Sequence, residues 1–177
     1  MNRILSITKL GNALLIKKAK KVVNINEEIL DLIGDMKATL KYGDGVGISA
    51  PQVNRSLQII IIASKPSKNY PDAPIMKATV MMNPEIEIID ERTVKDWEGC
   101  LSVPGIRAKV PRYSAIQVKY LTADGLEKTK TYKDFIARII QHEYDHLEGL
   151  SYLDRIDSVG DIISDEEYQK MMNKKGK

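Results

Sequence analysis

Between residues 26 and 42 the apolar side chains Ile29, Ile33, Met36 and Leu40 recur three or four positions apart, the spacing of one helical face. Asn24 or Asn26 can cap this helix, Glu27 and Glu28 sit in its electropositive first turn, and Gly43 marks its end. Gly43-Asp44-Gly45-Val46-Gly47 then reads as a loop, and Pro51 is expected to prevent a helix from opening after it. Residues 57–63 are isoleucine-rich, which predicts a buried strand. Pro66, Pro71 and Pro74 mark 64–78 as an exposed loop. Short strand-like runs follow at 79–82, 85–90, 106–110, 115–121 and 126–132, with Ala123-Asp124-Gly125 as the hairpin turn between the last two. Pro104 is expected to end any strand that reaches it. A second helix is predicted over 134–147, from Phe135, Ile136, Ile139 and Ile140, and stops at Gly149. Ser164-Asp165-Glu166-Glu167 is a capping box that opens a short helix over 164–173. Helix, many short strands, helix and tail predict a single α+β domain over 1–177 with an antiparallel-rich sheet, not alternating βαβ units.

Composition narrows the function classes. Hydrophobic residues make up 43% and charged residues 29% of the chain, which excludes a disordered or collagen-like polymer. A net charge of +3 gives no argument for a nucleic-acid or membrane partner. The longest apolar run, Ile59 to Ala63, is far too short to cross a bilayer. Residues 1–5 contain no hydrophobic stretch of signal-peptide length, so a cytoplasmic location is expected.

Cysteine and histidine change the picture most. The single cysteine, Cys100, excludes an intrachain disulfide. The two histidines, His142 and His146, stand four residues apart in Gln141-His142-Glu143-Tyr144-Asp145-His146. On the second helix that spacing points both imidazoles at one ion, and Glu143 can reach an adjacent water without becoming a ligand. The second helix is thus expected to be a central element bearing an HExxH metal site. Two histidines leave a catalytic site one protein ligand short. Glu148, Asp154 and Glu166 are downstream candidates, and Cys100 is the upstream one, in Trp97-Glu98-Gly99-Cys100-Leu101-Ser102-Val103-Pro104-Gly105. A lone cysteine is by itself most simply a buried apolar filler. The missing ligand tips the balance towards its thiolate. In the third segment, Gly45-Val46-Gly47-Ile48-Ser49-Ala50-Pro51-Gln52-Val53, no Gly-Lys-Ser/Thr follows the glycines, which makes it a poor phosphate loop. It suits instead a backbone lying close to a ligand, with Gln52 supplying an amide donor.

Taken together and in this order, the three segments resemble the peptide deformylase family, whose members show GxGxAAPQ, then EGCLS, then QHExDH. The likeness runs from the first helix to about residue 157 and includes Phe135-Ile136-Ala137-Arg138. Ser49 stands where the family usually has alanine and Ile48 where leucine is common. Residues 11–15 lack the family's proline-and-arginine pattern, and the loop at 64–78 looks longer than in compact members.

The resemblance implies a hydrolase that removes the formyl group from formyl-methionine on newly made polypeptides and releases formate. It implies one divalent metal held by Cys100, His142 and His146, with Fe2+ as the functional ion and Zn2+, Ni2+ or Co2+ as surrogates. Glu143 would be the acid/base, and the Gln52 side chain and the Leu101 backbone N–H the oxyanion donors. Val46, Gly47 and Gly99 would pair with the extended substrate. Phe135 and Ile139 would line the methionine pocket, with Arg107 near the cleft or else a solvated strand charge. Gln141 is assigned a supporting role. Lys170, Lys174, Lys175 and Lys177 bias the tail to the basic side. A frayed, solvated terminus is its simplest reading, and weak ribosome contact is what the family suggests. Two competing readings are an HExxH metallopeptidase cleaving internal bonds and a metal-stabilised binding module. Glu143 and Gln52, both present, argue against the latter.

Overall fold

The computed structural model describes residues 2–43, 45–67 and 70–175, except the side chain of Lys175. Asp44 and Lys177, named above, lie outside the described residues, as does the side chain of Lys175. Helix α1 spans Glu27–Tyr42, and Asn26 caps it by accepting the Ile29 N–H at 3.0 Å. Strand β1, Gly47–Ser49, leads into a short 3-10 turn, Ala50–Val53. That turn corrects the expectation for Pro51. Proline in the first turn has no N–H to satisfy there, so it starts this turn rather than preventing it.

The sheet is antiparallel, in the order β1, β2 (Ile59–Ser64), β3 (Met76–Cys100), β4 (Val103–Leu121) and β5 (Glu127–Lys133), with β6 (Ile162–Ser164) paired to β4. β2 explains the isoleucine run. Ile59 and Ile61 pack with the α1 stripe of Ile29, Ile33, Met36 and Leu40, while Ile60 and Ile62 face α2, Asp134–Leu147. Alternation persists, but both faces are covered, so the strand is apolar from Ile59 to Ala63. Each such side chain contributes about 1.5–3 kcal/mol on burial.

The short runs predicted at 79–82 and 85–90 are one strand, and so are those at 106–110 and 115–121. Irregularities in the ladder hid this. Asn83 takes a positive φ of 49° between the first pair, and its amide clamps both backbone groups of Val22 at 2.8 Å. Pro104 does not end β4. It sits with Gly105, φ 84°, in a bulge between the pairs Glu98↔Ala108 and Cys100↔Val103, where the regular ladder is interrupted. β6 was not anticipated from sequence; three residues are too few for a periodicity to show.

The loop between β2 and β3 is shorter than expected, because Met76 already belongs to β3, and it is not wholly exposed: Ala73 is buried. The C-terminal helix α3, Asp165–Lys175, begins after Ser164, whose hydroxyl accepts the Glu167 N–H at 3.2 Å. It is not a solvated tail. Tyr168 is only 3% exposed, because its ring closes over β3 and β4.

Candidate active site

β3 and β4 meet in a two-residue turn, Leu101-Ser102, with Cys100 at the end of the outgoing strand. α2 crosses behind it and presents His142, Glu143 and His146. One ligand atom from each of Cys100, His142 and His146 falls within a group no wider than 4.8 Å. Cys100 Sγ lies 3.2 Å from His146 Nε2. Of the alternative third ligands, Glu148 pairs with Lys18, Asp154 with Ser151, and Glu166 with Lys170.

The group fits a metal ion on the chemistry of its donors. His142 Nδ1 is 2.8 Å from Glu98 Oε2, and a carboxylate can only accept, so the proton sits on Nδ1 and Nε2 is left as the ligand atom. Burial alone would raise the Cys100 thiol, but the charges and hydrogen bonds of His146 and His142 bring it well below its ordinary value, towards the thiolate a metal requires.

Glu98 anchors more than the histidine. Arg112 donates to it twice, at 2.9 and 3.0 Å, and Arg138 once, at 2.8 Å. Arg112 also reaches Asp145 at 2.6 Å, and Arg155 binds the same carboxylate at 2.7 Å. Burial works against the Glu98 charge, yet the hydrogen bonds and charges of His142 and Arg112 hold its carboxyl well below the usual carboxylate range. Arg138 secures α2 further by donating to the carbonyls of Val94 and Val110. Gln141 spans to Tyr113, donating to its carbonyl and accepting its N–H, so it holds α2 to β4.

Glu143 is the contrasting carboxylate. It is buried, its Oε2 has no hydrogen-bond partner among the described residues, and burial pushes its pKa up to about 7. Gly47 packs directly on it. A Cβ at residue 47 would stand 2.5 Å from Glu143 Oε1, so no larger residue fits there unless the carboxylate moves. The second glycine of the first motif is therefore a matter of space. Its neighbour Val46 has committed its carbonyl to the Ala63 N–H at 2.9 Å.

Gln52 faces Cys100 from the 3-10 turn. Its side-chain oxygen accepts the Ser49 N–H at 2.8 Å and the Ser49 hydroxyl at 3.0 Å. The amide nitrogen is thereby turned to Cys100 Sγ at 3.4 Å and Ser102 Oγ at 3.3 Å. Ser49, a departure from the family pattern, thus adds a second restraint on this amide. The Leu101-Ser102 turn is braced by the N-terminal segment: Lys9 Nζ donates to the Leu101 carbonyl at 2.8 Å, and Leu10 N to the Ser102 carbonyl.

The site opens onto one cleft of about 360 Å³, within the range of small-ligand sites. Val46, Gly47, Gln52, Gly99, Cys100, Leu101, Arg107, Phe135, Ile139, His142 and Glu143 line it. His146 stands behind, reaching the group through Cys100. Arg107 is thus no solvated strand charge.

A model of the polypeptide deformylase family matches residues 4–161 of the chain. The chain belongs to that family. Peptide deformylase 2 of Nostoc sp. is 47% identical over 98% of both chains. Peptide deformylase 2 of Shewanella oneidensis is 39% identical over 99% of this chain and 93% of its own. The Met-Ala-Ser-bound crystal structure of a class I type b peptide deformylase from Acinetobacter baumannii superposes with a TM-score of 0.86. It is 42% identical and covers 88% of this chain and 100% of its own. The family resemblance carried by the three motifs is borne out, as is the α+β fold with its antiparallel sheet. No helix among the described residues is long and apolar enough to cross a membrane.

Glu98, Arg138 and Asp145 were quoted within their motifs but given no task, and Arg112 and Tyr168 were missed. Asp145 and Arg138 carried a faint signal, since each lies three or four positions from His142 on the same helix. Arg112 and Tyr168 carried none, because only folding brings the first to Glu98 and the second to Arg107.

Proposed function

We infer that this protein is a peptide deformylase: it hydrolyses the formyl group from the formyl-methionyl end of newly made polypeptides and releases formate. The observation that carries this reading is the convergence of Cys100, from a hairpin turn, on two histidines of a distant helix, with Glu143 and Gln52 facing the same cleft. Cys100, His142 and His146 would hold one divalent ion. When bound, it supplies Lewis acidity and makes hydroxide accessible near neutral pH. One thiolate with two imidazoles suits Fe2+, Zn2+, Ni2+ or Co2+, and the family points to Fe2+ in function.

The chain's own residues supply the rest. Glu143 takes a proton from the attacking water and passes it to the leaving amine; a carboxyl near pH 7 suits both transfers. Gln52 Nε2, held in orientation by Ser49, donates to the oxygen that becomes negative, with the Leu101 N–H as its partner. Water adds to the formyl carbon, the C–N bond breaks, and formate and a free α-amino group leave. Phe135 and Ile139 offer an apolar wall for the methionine side chain, and Val46, Gly47 and Gly99 its backbone contacts. No unmet ligand calls for a downstream carboxylate, which disfavours an endopeptidase of the HExxH type.

Such an enzyme belongs in the cytoplasm, where formylated chains emerge. Contact with the ribosome through α3 would be weak. Lys170 is already paired with Glu166 and Glu167, so it adds little net positive charge. Co-sedimentation that persists at moderate salt would contradict that weakness.

The primary test is formate release from formyl-Met-Ala-Ser by protein reconstituted anaerobically with Fe2+. No formate sinks the assignment. Glu143→Gln should keep the metal and lose most turnover. Gln52→Ala should lower kcat by about a hundredfold or more with metal content intact.

A further inference from the structure

Residues 8–10 join the two turns that carry the oxyanion donors. The Thr8 N–H donates to the Gln52 carbonyl at 2.8 Å, and the Leu10 N–H to the Ser102 carbonyl at 2.8 Å. Gln52 lies in the 3-10 turn after β1, and Ser102 in the turn between β3 and β4. Lys9 stands between these two bonds. Its Nζ donates to the Leu101 carbonyl at 2.8 Å, and it lines the cleft together with Cys100 and Leu101. An exposed lysine ordinarily loses too much rotamer freedom to hold one acceptor. Here the backbone is pinned on either side of it, so less freedom remains to be lost.

The choice of acceptor has a chemical consequence. The Leu101 carbonyl and the Ser102 N–H belong to one planar peptide group and point in opposite directions. With the oxygen held by Lys9, the N–H is turned to Cys100 Sγ, 3.4 Å away. An ammonium on the oxygen also polarises the peptide and makes its N–H a stronger donor. A thiolate that accepts such a bond gives less of its charge to an ion, which leaves the ion a stronger Lewis acid. Gln52 Nε2 reaches the same sulfur at 3.4 Å, so these two donors to Sγ sit on turns that residues 8–10 tie together.

We propose that Lys9 is a positioning residue: by holding the Leu101-Ser102 peptide it sets the hydrogen bond from Ser102 to Cys100, and with it the charge that the thiolate gives to the metal. The effect on rate rests on the deformylase reading; the effect on the sulfur rests on the metal site alone.

The test is the absorption spectrum of the Co2+-loaded protein, whose sulfur-to-cobalt charge-transfer band reports the charge on the thiolate. Lys9→Met keeps an unbranched side chain and removes the donor. The band should move to longer wavelength, because a thiolate with a weaker hydrogen bond gives up an electron more easily. With Fe2+ bound and metal content unchanged, kcat on formyl-Met-Ala-Ser should fall about fivefold, the scale of one net hydrogen bond, while KM stays within about twofold. Lys9→Arg restores a charged donor and should return the band and most of the rate. Lys37→Met, at an exposed position of α1, should change neither. An unmoved band or an unchanged kcat in Lys9→Met, a Lys9→Arg variant no better than Lys9→Met, or an equal band shift in Lys37→Met overturns the proposal. Absence of formate with the unaltered enzyme would instead overturn the deformylase reading, and the band would still decide the role of Lys9.

Discussion

α1 and α2 pack on opposite faces of the same strand, β2, yet they bury opposite kinds of surface. α1 turns inward Ile29, Leu32, Ile33, Met36 and Leu40, with Asp35 and Thr39 as its only buried polar side chains. α2 turns inward Arg138, Gln141, His142, Glu143, Asp145 and His146 beside its apolar Ala137, Ile139, Ile140 and Leu147. Transfer of apolar surface from water suffices to dock the first. The second must have its buried charges answered one by one, by Glu98 and Arg112 from β3 and β4 and by Arg155 after the helix. Such a network contributes less to stability than an apolar interface of the same size. In return it fixes ring planes and protonation states, which an apolar interface cannot do. Glu143 is the exception on α2: burial without a partner leaves it poised near neutrality, beside a Glu98 that is held firmly ionised.

The comparison can be broken first at Arg112. Arg112→Ala strips Glu98 and Asp145 of their shared donor and leaves both charges buried, and it should cost about 3–5 kcal/mol in urea unfolding. It should also weaken metal retention, measured by competition with a chelator, because Glu98 then holds His142 less firmly. Unchanged stability and metal retention together would show that the network is incidental. On the other helix, Met36→Ala, at a fully buried site, should cost about 2–4 kcal/mol. Its kcat per folded molecule should not change, since α1 touches the cleft only through the loop that follows it. A matching loss of kcat would mean that the two faces of β2 are coupled.

Asn26→Ala removes the cap of α1 and should cost about 1 kcal/mol, again with kcat intact. The smallest effect is expected at Asp35. The Arg3 backbone N–H at 2.6 Å, followed by the Arg3 side chain, holds this carboxyl below its ordinary value. Its contribution is therefore present above the unfolded carboxylate pKa and lost as pH falls through the folded one. The stability gap between Asp35→Asn and the parent should be visible at pH 7 and close towards acid pH; a gap that widened on acidification would contradict the assignment.

The chain's local pattern was enough to place α1, α2, the hairpin turn at Gly125 and the isoleucine strand, and to narrow the cap of α1 to Asn24 or Asn26, because period and capping chemistry act within a few residues. Spacing within α2 was enough to pair His142 with His146, since a helix sets that geometry by itself. The length of β3 and β4 was not legible. Asn83 and Pro104 look like terminators locally, and only pairing with a partner strand turns such positions into bulges. The order of three short segments led to the family, but the meeting of Cys100 with the histidines depends on a hairpin folding against a helix some forty residues later. Most dependent on folding are the groups that serve the site from afar. Arg112 answers Glu98 and Asp145, Gly47 gives Glu143 its room, and Tyr168 seats Arg107, all through contacts between distant segments. Periodicity reports which face of an element is buried; which charge it meets there is decided by the tertiary structure, because a buried charge is stable only opposite a partner that the chain must fold to supply.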